Sequence, residues 1–228
     1  MIDVSKLLEQ YATGLRNFAS VDLGGVCLYR ANLPGINLQS ANLIGANLSG
    51  SDLSGANLSN ANLIGANLSG ANLVTANLEN ADLIGANLGG AKLANANLQA
   101  ITLNGGNMSG ANLNGANLTY ASLKGANFSG AFLNAILTEA NLRNANLNSA
   151  SLVKANLSGA NLQGANLVGA NLSQANLYEA ILVEANLSSA NLTGANLKLA
   201  NLHKANISGS SKDVRTIVVV NEKPNSGT

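Results

Sequence analysis

The chain has 228 residues, and 12 Lys and Arg against 11 Asp and Glu leave a formal net charge of +1. Only 10% of the residues are charged and 3% aromatic, whereas 46% are hydrophobic, so any core must be built from small aliphatic side chains. The balanced charge argues against a strongly basic nucleic-acid binder and against a strongly acidic protein. A single Cys excludes an internal disulfide framework and favours a reducing compartment.

No long apolar segment is present. The first twenty residues contain no uninterrupted apolar stretch behind a basic start, and no run of about 18 apolar residues occurs anywhere. We therefore expect neither a secretory signal nor a transmembrane helix, and we predict a cytoplasmic location.

Residues 3–14 predict a short α-helix, with Asp3 or Ser5 as its N-cap and Gly14 as its stop. A single apolar stripe runs along it, formed by Val4, Leu7, Leu8, Tyr11 and Ala12. Because the stripe is short and carries few basic residues, it favours a cap over the start of the core rather than a membrane-bound helix.

A five-residue repeat dominates the rest of the chain; we number its central residue 0. Centres recur at every fifth residue from Phe18 to Leu133 (24 units) and from Leu137 to Ile207 (15 units), which makes 39. Position 0 is Leu in 35 of these units, position −2 is Ala in 32 and position −1 is Asn in 28. The variable positions +1 and +2 favour Ser, Gly, Asn and scattered charges.

A period of five suits neither regular secondary structure. On an α-helix five residues turn roughly 500°, so successive Leu side chains would lie about 140° apart and form no stripe. On a flat strand they would alternate between opposite faces. The pattern becomes coherent if the chain turns a corner in every unit, with positions −2 and 0 pointing inward and Asn and Gly at the corners.

Tandem Ala-Asn-Leu-x-x over residues 16–207 resembles the pentapeptide-repeat family, and residues 7–18 are similar to the start of cyanobacterial members. The resemblance implies an all-β fold: a right-handed quadrilateral parallel β-helix, a solenoid with four units per coil and about ten coils. The predicted organisation is a capping helix at 1–15, the β-helix at 16–207, and a strand-like segment with a flexible tail at 208–228.

The C-terminal segment carries its own strand signal. Residues 214–220 read VRTIVVV, whereas residues 221–228 are polar. This strand pairs either with the last coil or with another chain, and the second alternative predicts a homodimer through the C-terminal end.

No constellation of catalytic residues is visible. His203 stands alone beside Lys204, and Cys27 has no activating partner nearby in sequence. Clustered metal ligands and a phosphate-binding glycine loop are both missing from the sequence. We therefore expect no enzyme, no cofactor, no metal site, and neither a nucleic-acid nor a membrane partner.

Two groups of apolar side chains are candidate protein-contact residues. If a coil contains twenty residues, Ile44, Ile64 and Ile84 stack one above another at position +1. They form either a contact stripe or a remnant of repeat duplication. Phe132 and Ile136 occupy position −1 on either side of Asn134-Ala135, where one residue is missing from the repeat. These two either plug a distorted corner or expose an apolar patch.

The same register predicts further surface features. Lys124 and Arg143 stack, Glu184 pairs with Lys204 at little energetic gain, and one nearly uncharged wall carries serines. Those serines are Ser49, Ser69, Ser109 and Ser129. An ice-binding role for this wall is disfavoured because threonine arrays are missing.

The family resemblance implies two modes of action: DNA-like acidic rods that inhibit DNA gyrase, and intracellular regulators or scaffolds. Mimicry requires dense negative charge, but the repeats hold only seven acidic residues, offset by at least as many basic ones. Our leading interpretation is a non-enzymatic scaffold or regulator with a protein partner. A structural or stress-related solenoid without a specific partner is the alternative, and a gyrase inhibitor is less favoured.

Overall fold

The computed structural model describes residues 3–211, which form one helix followed by a stack of coils. Helix α1 spans Val4–Ala12. Asp3 is its N-cap, and the Asp3 carboxylate accepts a hydrogen bond from the Ser5 amide at 3.0 Å. The chain leaves the helix through Gly14, whose φ of 101° is a conformation that glycine favours. The helix predicted at residues 3–14, with Asp3 as its cap, is thus present.

Helix α1 packs against the first coil. Leu7 is fully buried, and the Tyr11 hydroxyl donates a hydrogen bond to the Pro34 carbonyl at 2.7 Å. The Arg16 guanidinium lies 3.8 Å from the centre of the Tyr11 ring and holds it by a cation–π contact. The predicted apolar stripe was too wide, because Leu8 is exposed. The face that packs on the coil is formed by Val4, Leu7 and Tyr11, and Leu8 lies about 100° around the helix from Leu7, outside that face.

The coils have a period of twenty residues. Parallel bridges join position −1 of each unit to position −1 one coil later, from Asn17 with Asn37 to Asn191 with Ser211. Four five-residue units therefore make one coil, as expected. With a rung spacing of about 4.8 Å, ten coils extend on the order of 45 Å.

Neighbouring coils are joined by backbone hydrogen bonds in both directions. At a representative unit, the Asn42 amide donates to the Val21 carbonyl of the preceding coil at 2.9 Å. The next amide, of Leu43, donates to the Asn62 carbonyl of the following coil at 2.7 Å. The backbone of each flat side is therefore paired above and below.

A tight turn forms each corner. In the same unit the Ala46 amide donates to the Leu43 carbonyl at 3.0 Å, and Gly45 at position +2 has a φ of 62°. A positive φ at only the second central residue is the signature of a type II turn. The expected corner residues are confirmed at position +2, where Asn60, Asn80, Asn95 and Asn144 have positive φ as the glycines do. The more frequent Asn at position −1 lies on the flat side instead.

Only half of the corners use glycine at position +2. Nineteen non-glycine residues have positive φ, against nineteen glycines when Gly14 of the helix exit is left out. They include Tyr120 at 60° and Leu199 at 61°. Such a φ costs a non-glycine residue on the order of 1–2 kcal/mol, so the stacked coils must impose the turn.

The core is a continuous column. Leu at position 0 and Ala at position −2 are buried in coil after coil and form one cluster with Leu7 of α1. Met108 and Phe128, one coil apart, replace Leu at position 0. In the unit centred on Met108, Gly106 replaces Ala at position −2. A Cβ atom added at Gly106 would lie 2.6 Å from Leu103 Cδ1, so the neighbouring Leu already occupies that space.

The repeat is one residue short at Asn134-Ala135, and the missing residue belongs to a turn. Bridges step by nineteen residues across it, as in Asn117 with Ile136. The Ile136 amide donates to the Ala116 carbonyl at 3.0 Å, as at other flat sides. Leu133 and Leu137, the centres on either side, are both buried. The corner lacks its +2 residue, and the core continues through it.

At the last described coil the core is only partly covered, because Leu202, Ala205 and Ile207 are partly buried. The predicted strand at 214–220 and the predicted homodimer contact lie outside the described residues. Within residues 3–211, no helix is long and apolar enough to cross a bilayer.

Corner strain leads to a stability prediction with a matched control. Ala100, at position +2, has a φ of 55°. Ala94, at position +1, does not have a positive φ, and both alanines are half-buried. We expect Ala100→Gly to stabilise the protein by about 1 kcal/mol and Ala94→Gly to destabilise it by about 0.5–1 kcal/mol. Urea unfolding measures both. Equal destabilisation by the two changes would show that position +2 is unstrained.

Candidate interaction surfaces

The solenoid has four faces, which we name after their first centres: face 1 (Phe18), face 2 (Leu23), face 3 (Leu28) and face 4 (Leu33). Positions −2 and 0 point inward, so positions −1, +1 and +2 supply the exterior. Each surface row therefore repeats one position of one face along the axis.

Face 3 carries an unbroken asparagine ladder. Each Nδ2 donates to the Oδ1 of the Asn one coil earlier, at 2.9–3.4 Å. The ladder comprises Asn67, Asn87, Asn107, Asn127, Asn146 and Asn166. Each of these Oδ1 atoms also accepts from the amide two residues later, as Asn107 does from Ser109 at 3.0 Å. The amide side chains thus join the coils and brace the turns at once.

On face 1, Ile136 interrupts the corresponding ladder. Asn156 Nδ2 there donates to Thr138 Oγ1 at 3.0 Å. The ladder then resumes through Asn176 and Asn196. A neighbouring hydroxyl therefore compensates for the missing amide, and the fold tolerates Ile136.

Aspartates at position −1 act as acceptors in the same arrangement. Asp52 accepts from the Ser54 amide at 2.9 Å and from Asn72 Nδ2 at 3.0 Å. The Ser54 amide and hydroxyl, then Asn72 and Lys92, lower the pKa of the Asp52 carboxyl. Asp22 has its pKa lowered mainly by the Gly24 amide, with Asn42 as a further donor. Both positions therefore favour the ionised form, and neither resembles a catalytic acid.

Face 2 carries the predicted isoleucine stack, which we call the isoleucine ridge. Ile44 and Ile84 are 45% and 41% exposed, and Ile64 between them is half-buried. The Gly45 amide donates to the Ile64 carbonyl at 2.9 Å, which confirms that adjacent ridge residues lie one rung apart. The corner beside the ridge is bare, because a Cβ atom added at Gly45, Gly65 or Gly85 would meet nothing within 4 Å.

Farther along face 2, beyond Asn104, stand Lys124 and Arg143. The Gly125 amide donates to the Arg143 carbonyl at 2.9 Å, so the predicted stacking of the two cations is confirmed. Both side chains are exposed, and neither forms an ion pair within the part of the chain that the structure describes.

The predicted ion pair of this face lies near its end. Lys204 Nζ is 3.7 Å from Glu184 Oε1, with both side chains more than half exposed. Such a pair contributes little to stability. His203 beside it is exposed, with no partner for its ring among the described residues.

Phe132 and Ile136 flank the corner that lacks a residue; we call them the corner pair. Phe132 is 52% exposed on face 4 and Ile136 45% exposed on face 1. They do not fill the shortened corner, since both side chains point outward. Val153, half-buried, lies one rung later on face 4, and Lys154 follows it at the next corner.

The remaining surfaces offer little chemistry. The serine wall on face 3 is interrupted by Gly89, and Cys27 at the start of that face is exposed, with its Sγ 3.9 Å from Asn47 Nδ2. Within residues 3–211, no group of three or more His, Cys, Asp or Glu could hold a metal ion.

Sequence reasoning overlooked several exposed apolar residues: Tyr29, Tyr120, Ile181 and Leu199. All occupy positions −1, +1 or +2, so the repeat register already placed them outside. Another neglected contact joins Tyr178 and Glu179, where the hydrogen-bonded carboxylate raises the pKa of the Tyr178 hydroxyl. Tyr120 and Leu199 share the +2 row of face 1 but are four coils apart, and the other exposed apolar residues lie in separate rows, so none forms a run like the isoleucine ridge.

Comparisons with known proteins agree on one family. The family described as pentapeptide repeats matches residues 17–55, 61–100, 96–134, 135–174, 155–194 and 180–211. A search of curated proteins finds no match.

Several solved structures are similar to this chain, and two of the three described below are pentapeptide repeat proteins. HetL, a pentapeptide repeat protein involved in heterocyst differentiation regulation in the cyanobacterium Nostoc sp. strain PCC 7120, is 38% identical. That match covers 92% of this chain and 97% of HetL, with a TM-score of 0.48. Full-length QnrB1, a plasmid-mediated fluoroquinolone resistance protein, is 21% identical over 90% of this chain and 97% of its own, with a TM-score of 0.39. Rfr23 from the cyanobacterium Cyanothece 51142 is 24% identical over 93% and 97%, with a TM-score of 0.24.

The face 3 ladder predicts a measurable loss of stability. Asn107→Ala removes the bonds from Ser109 and Asn127 to its Oδ1 and the bond from its Nδ2 to Asn87. We expect a loss of about 2 kcal/mol. Thr102→Ala, at position −1 of face 2 where no side-chain hydrogen bond is found, should change stability by less than about 0.5 kcal/mol. Thermal unfolding of both variants is the measurement, and similar losses would refute a stabilising ladder.

Proposed function

Since the chain belongs to the pentapeptide-repeat family, we propose that it is a non-enzymatic scaffold or regulator that binds protein partners through its exposed apolar surfaces. The observation that carries this proposal is the isoleucine ridge, the only run of three consecutive large aliphatic residues in one outward row of the described coils. A structural solenoid without a specific partner is the alternative.

The ridge is costly to leave in water. Ile44 and Ile84 expose more than two fifths of their surface, and nothing in the backbone requires isoleucine there, since Ser, Gly, Asn or Lys fills position +1 elsewhere. Burial of apolar area by a partner would gain roughly 25 cal/mol per Å². A contiguous exposed apolar stripe on a polar rod is typical of an interaction surface.

The corner pair is a second contact candidate within the same proposal. Phe132 on face 4 and Ile136 on face 1 both occupy position −1, where Asn is the usual residue. Aromatic residues in a half-exposed setting are frequent anchors of protein interfaces. The shortened corner between them leaves no +2 side chain to shield either residue.

DNA mimicry receives no support from the charge distribution. The acidic residues of the repeats are spread over all the faces except face 3 and stand among basic ones. On face 2, for example, Asp22 and Asp82 share the face with Lys124 and Arg143. A rod with this mixture does not present the dense negative rows of a DNA duplex. The expected cytoplasmic location and the role of residues 1–15 as a cap remain parts of the proposal.

Partner capture tests the two surfaces separately. We expect the triple variant Ile44→Ser, Ile64→Ser, Ile84→Ser, or the double variant Phe132→Asn, Ile136→Asn, to lower the recovery of a specific partner from native cell extract at least tenfold. Circular dichroism should show the fold retained, because the altered side chains point outward. The triple control Val74→Ser, Val153→Ser, Val168→Ser matches the isoleucine variant, because it changes three half-buried +1 residues that lie off face 2. Equal recovery by wild type and both surface variants would contradict the proposal.

The proposed partners include a second copy of the chain. Leu202 and Ile207 at the last described coil are only partly buried, and an uncovered solenoid end favours stacking on a neighbour. Light scattering of the full chain should then give a dimer, and the variant Leu202→Lys, Ile207→Lys a monomer. A monomeric wild type would exclude self-association and leave residues 214–220 as the alternative cover for this end.

A further inference from the structure

The isoleucine ridge and the two cations lie in one row. Position +1 of face 2 reads Ile44, Ile64, Ile84, Asn104, Lys124 and Arg143 in consecutive coils. Its first half is apolar and its second half basic, with a single polar rung between. Five steps of about 4.8 Å place the ends of this row on the order of 24 Å apart.

An α-helix lying along the row would match its spacing. One helical turn rises about 5.4 Å, so residues i, i+3 or i+4, and i+7 advance nearly one rung at a time. The mismatch of about 0.6 Å per rung accumulates to about 3 Å over the row, which long Lys and Arg side chains can absorb. Alternate residues of an extended peptide advance about 6.7 Å and lose register within two rungs.

The backbone of face 2 also disfavours an extended peptide. Addition of a strand requires unpaired amides and carbonyls at a sheet edge. Along the ridge these groups already join adjacent coils, as the Gly45 amide does with Ile64 and the Gly65 amide with Ile84, both at 2.9 Å. Recognition there must therefore use side chains.

We propose that face 2 binds an amphipathic α-helix of a partner protein, with aliphatic residues on the isoleucine ridge and acidic residues opposite Lys124 and Arg143. This inference rests on the proposed scaffold function and specifies the partner segment. The helix spans about 16 residues or more, because the row is about 24 Å long and each residue rises about 1.5 Å.

The acidic character of the partner follows from uncompensated charge. Lys124 and Arg143 are like charges one rung apart, a destabilising arrangement for cross-strand neighbours. The nearby Glu139 carboxylate lies over Gly159 of the next coil on the corner between faces 1 and 2, where a Cβ atom would collide with it. Neither cation is ion-paired among residues 3–211, so carboxylates of a partner would relieve their repulsion.

The orientation of the helix follows from the acids on the same face. Asp82 lies beside the ridge, where its Oδ1 accepts from the Ile84 amide at 3.1 Å, and Asp22 lies at the start of the face. Acidic residues of the partner are repelled from that end and attracted to the other. The same two aspartates disfavour a nucleic-acid backbone along the row.

The test uses a displayed library of 20-residue helical peptides, randomised on one face and selected on the full chain. We expect a consensus with aliphatic residues on three successive turns and Asp or Glu two to three turns away from the last of them, on one side only. The consensus peptide should bind the Ile44→Ser, Ile64→Ser, Ile84→Ser variant at least tenfold more weakly in fluorescence anisotropy. The variant Lys124→Glu, Arg143→Glu should lower the affinity at least fivefold and reverse its dependence on salt, because salt screens the new repulsion between like charges.

Matched controls lie on other faces. The variant Lys154→Glu, Lys198→Glu reverses two exposed cations away from face 2 and should bind within twofold of wild type. The valine triple control described above should do the same. A selection without binders, a consensus without the acidic turns, or binders equally weakened by the control variants would overturn the inference.

Two outcomes separate this inference from the proposed function. If the isoleucine variant loses its cellular partner but no helical consensus emerges, the helix proposal fails and the scaffold function stands. A DNA duplex could bind instead, and its binding could be lost in the Lys124→Glu, Arg143→Glu variant but not in the isoleucine variant. That result would contradict both the helix proposal and the proposed role of the isoleucine ridge.

Discussion

The whole structure depends on closing a corner in every five-residue unit while the backbone between corners stays paired to the coils above and below. The Ala46 amide reaches back to Leu43 across a turn whose second central residue has positive φ, and Asn42 and Leu43 bond in opposite axial directions. No single turn is stable alone. Repetition places each inner corner between two similar ones, so a strained residue such as Tyr120, between Ala100 and Glu139, is held in place by stacking.

A consequence of this constraint is that the exterior is largely independent of the core. The inward positions hold Leu and Ala with few exceptions, whereas position −1 accepts Asn, Asp, Lys, Thr, Phe or Ile without losing its bridge. Where Ile136 removes a ladder amide, Thr138 supplies an acceptor to Asn156. Surface rows can therefore acquire apolar or charged character one rung at a time, as the isoleucine ridge illustrates.

The repeat register made much of this predictable, because position in the unit dictates burial. The stacking of Ile44 on Ile64 and the pairing of Glu184 with Lys204 followed directly from a twenty-residue coil. The location of the frequent Asn at position −1 could not be predicted in this way. Composition alone does not distinguish a corner from a flat side, where the Asn amide bonds to the next coil. Leu8 was misplaced because a helix stripe two residues wide cannot be oriented without knowing what it packs against.

The shortened corner keeps Arg143 in the face 2 row although one residue is missing from the repeat before it. The step from Lys124 to Arg143 is nineteen residues, yet both side chains point outward on the same face, because the missing residue comes from the turn after Leu133. A deletion on a flat side would shift every later residue by one and turn outward positions inward. Arg143 would then compete with Leu142 for the core. Removing the +2 residue instead preserves all four faces across the irregular coil and leaves the corner pair uncovered beside it.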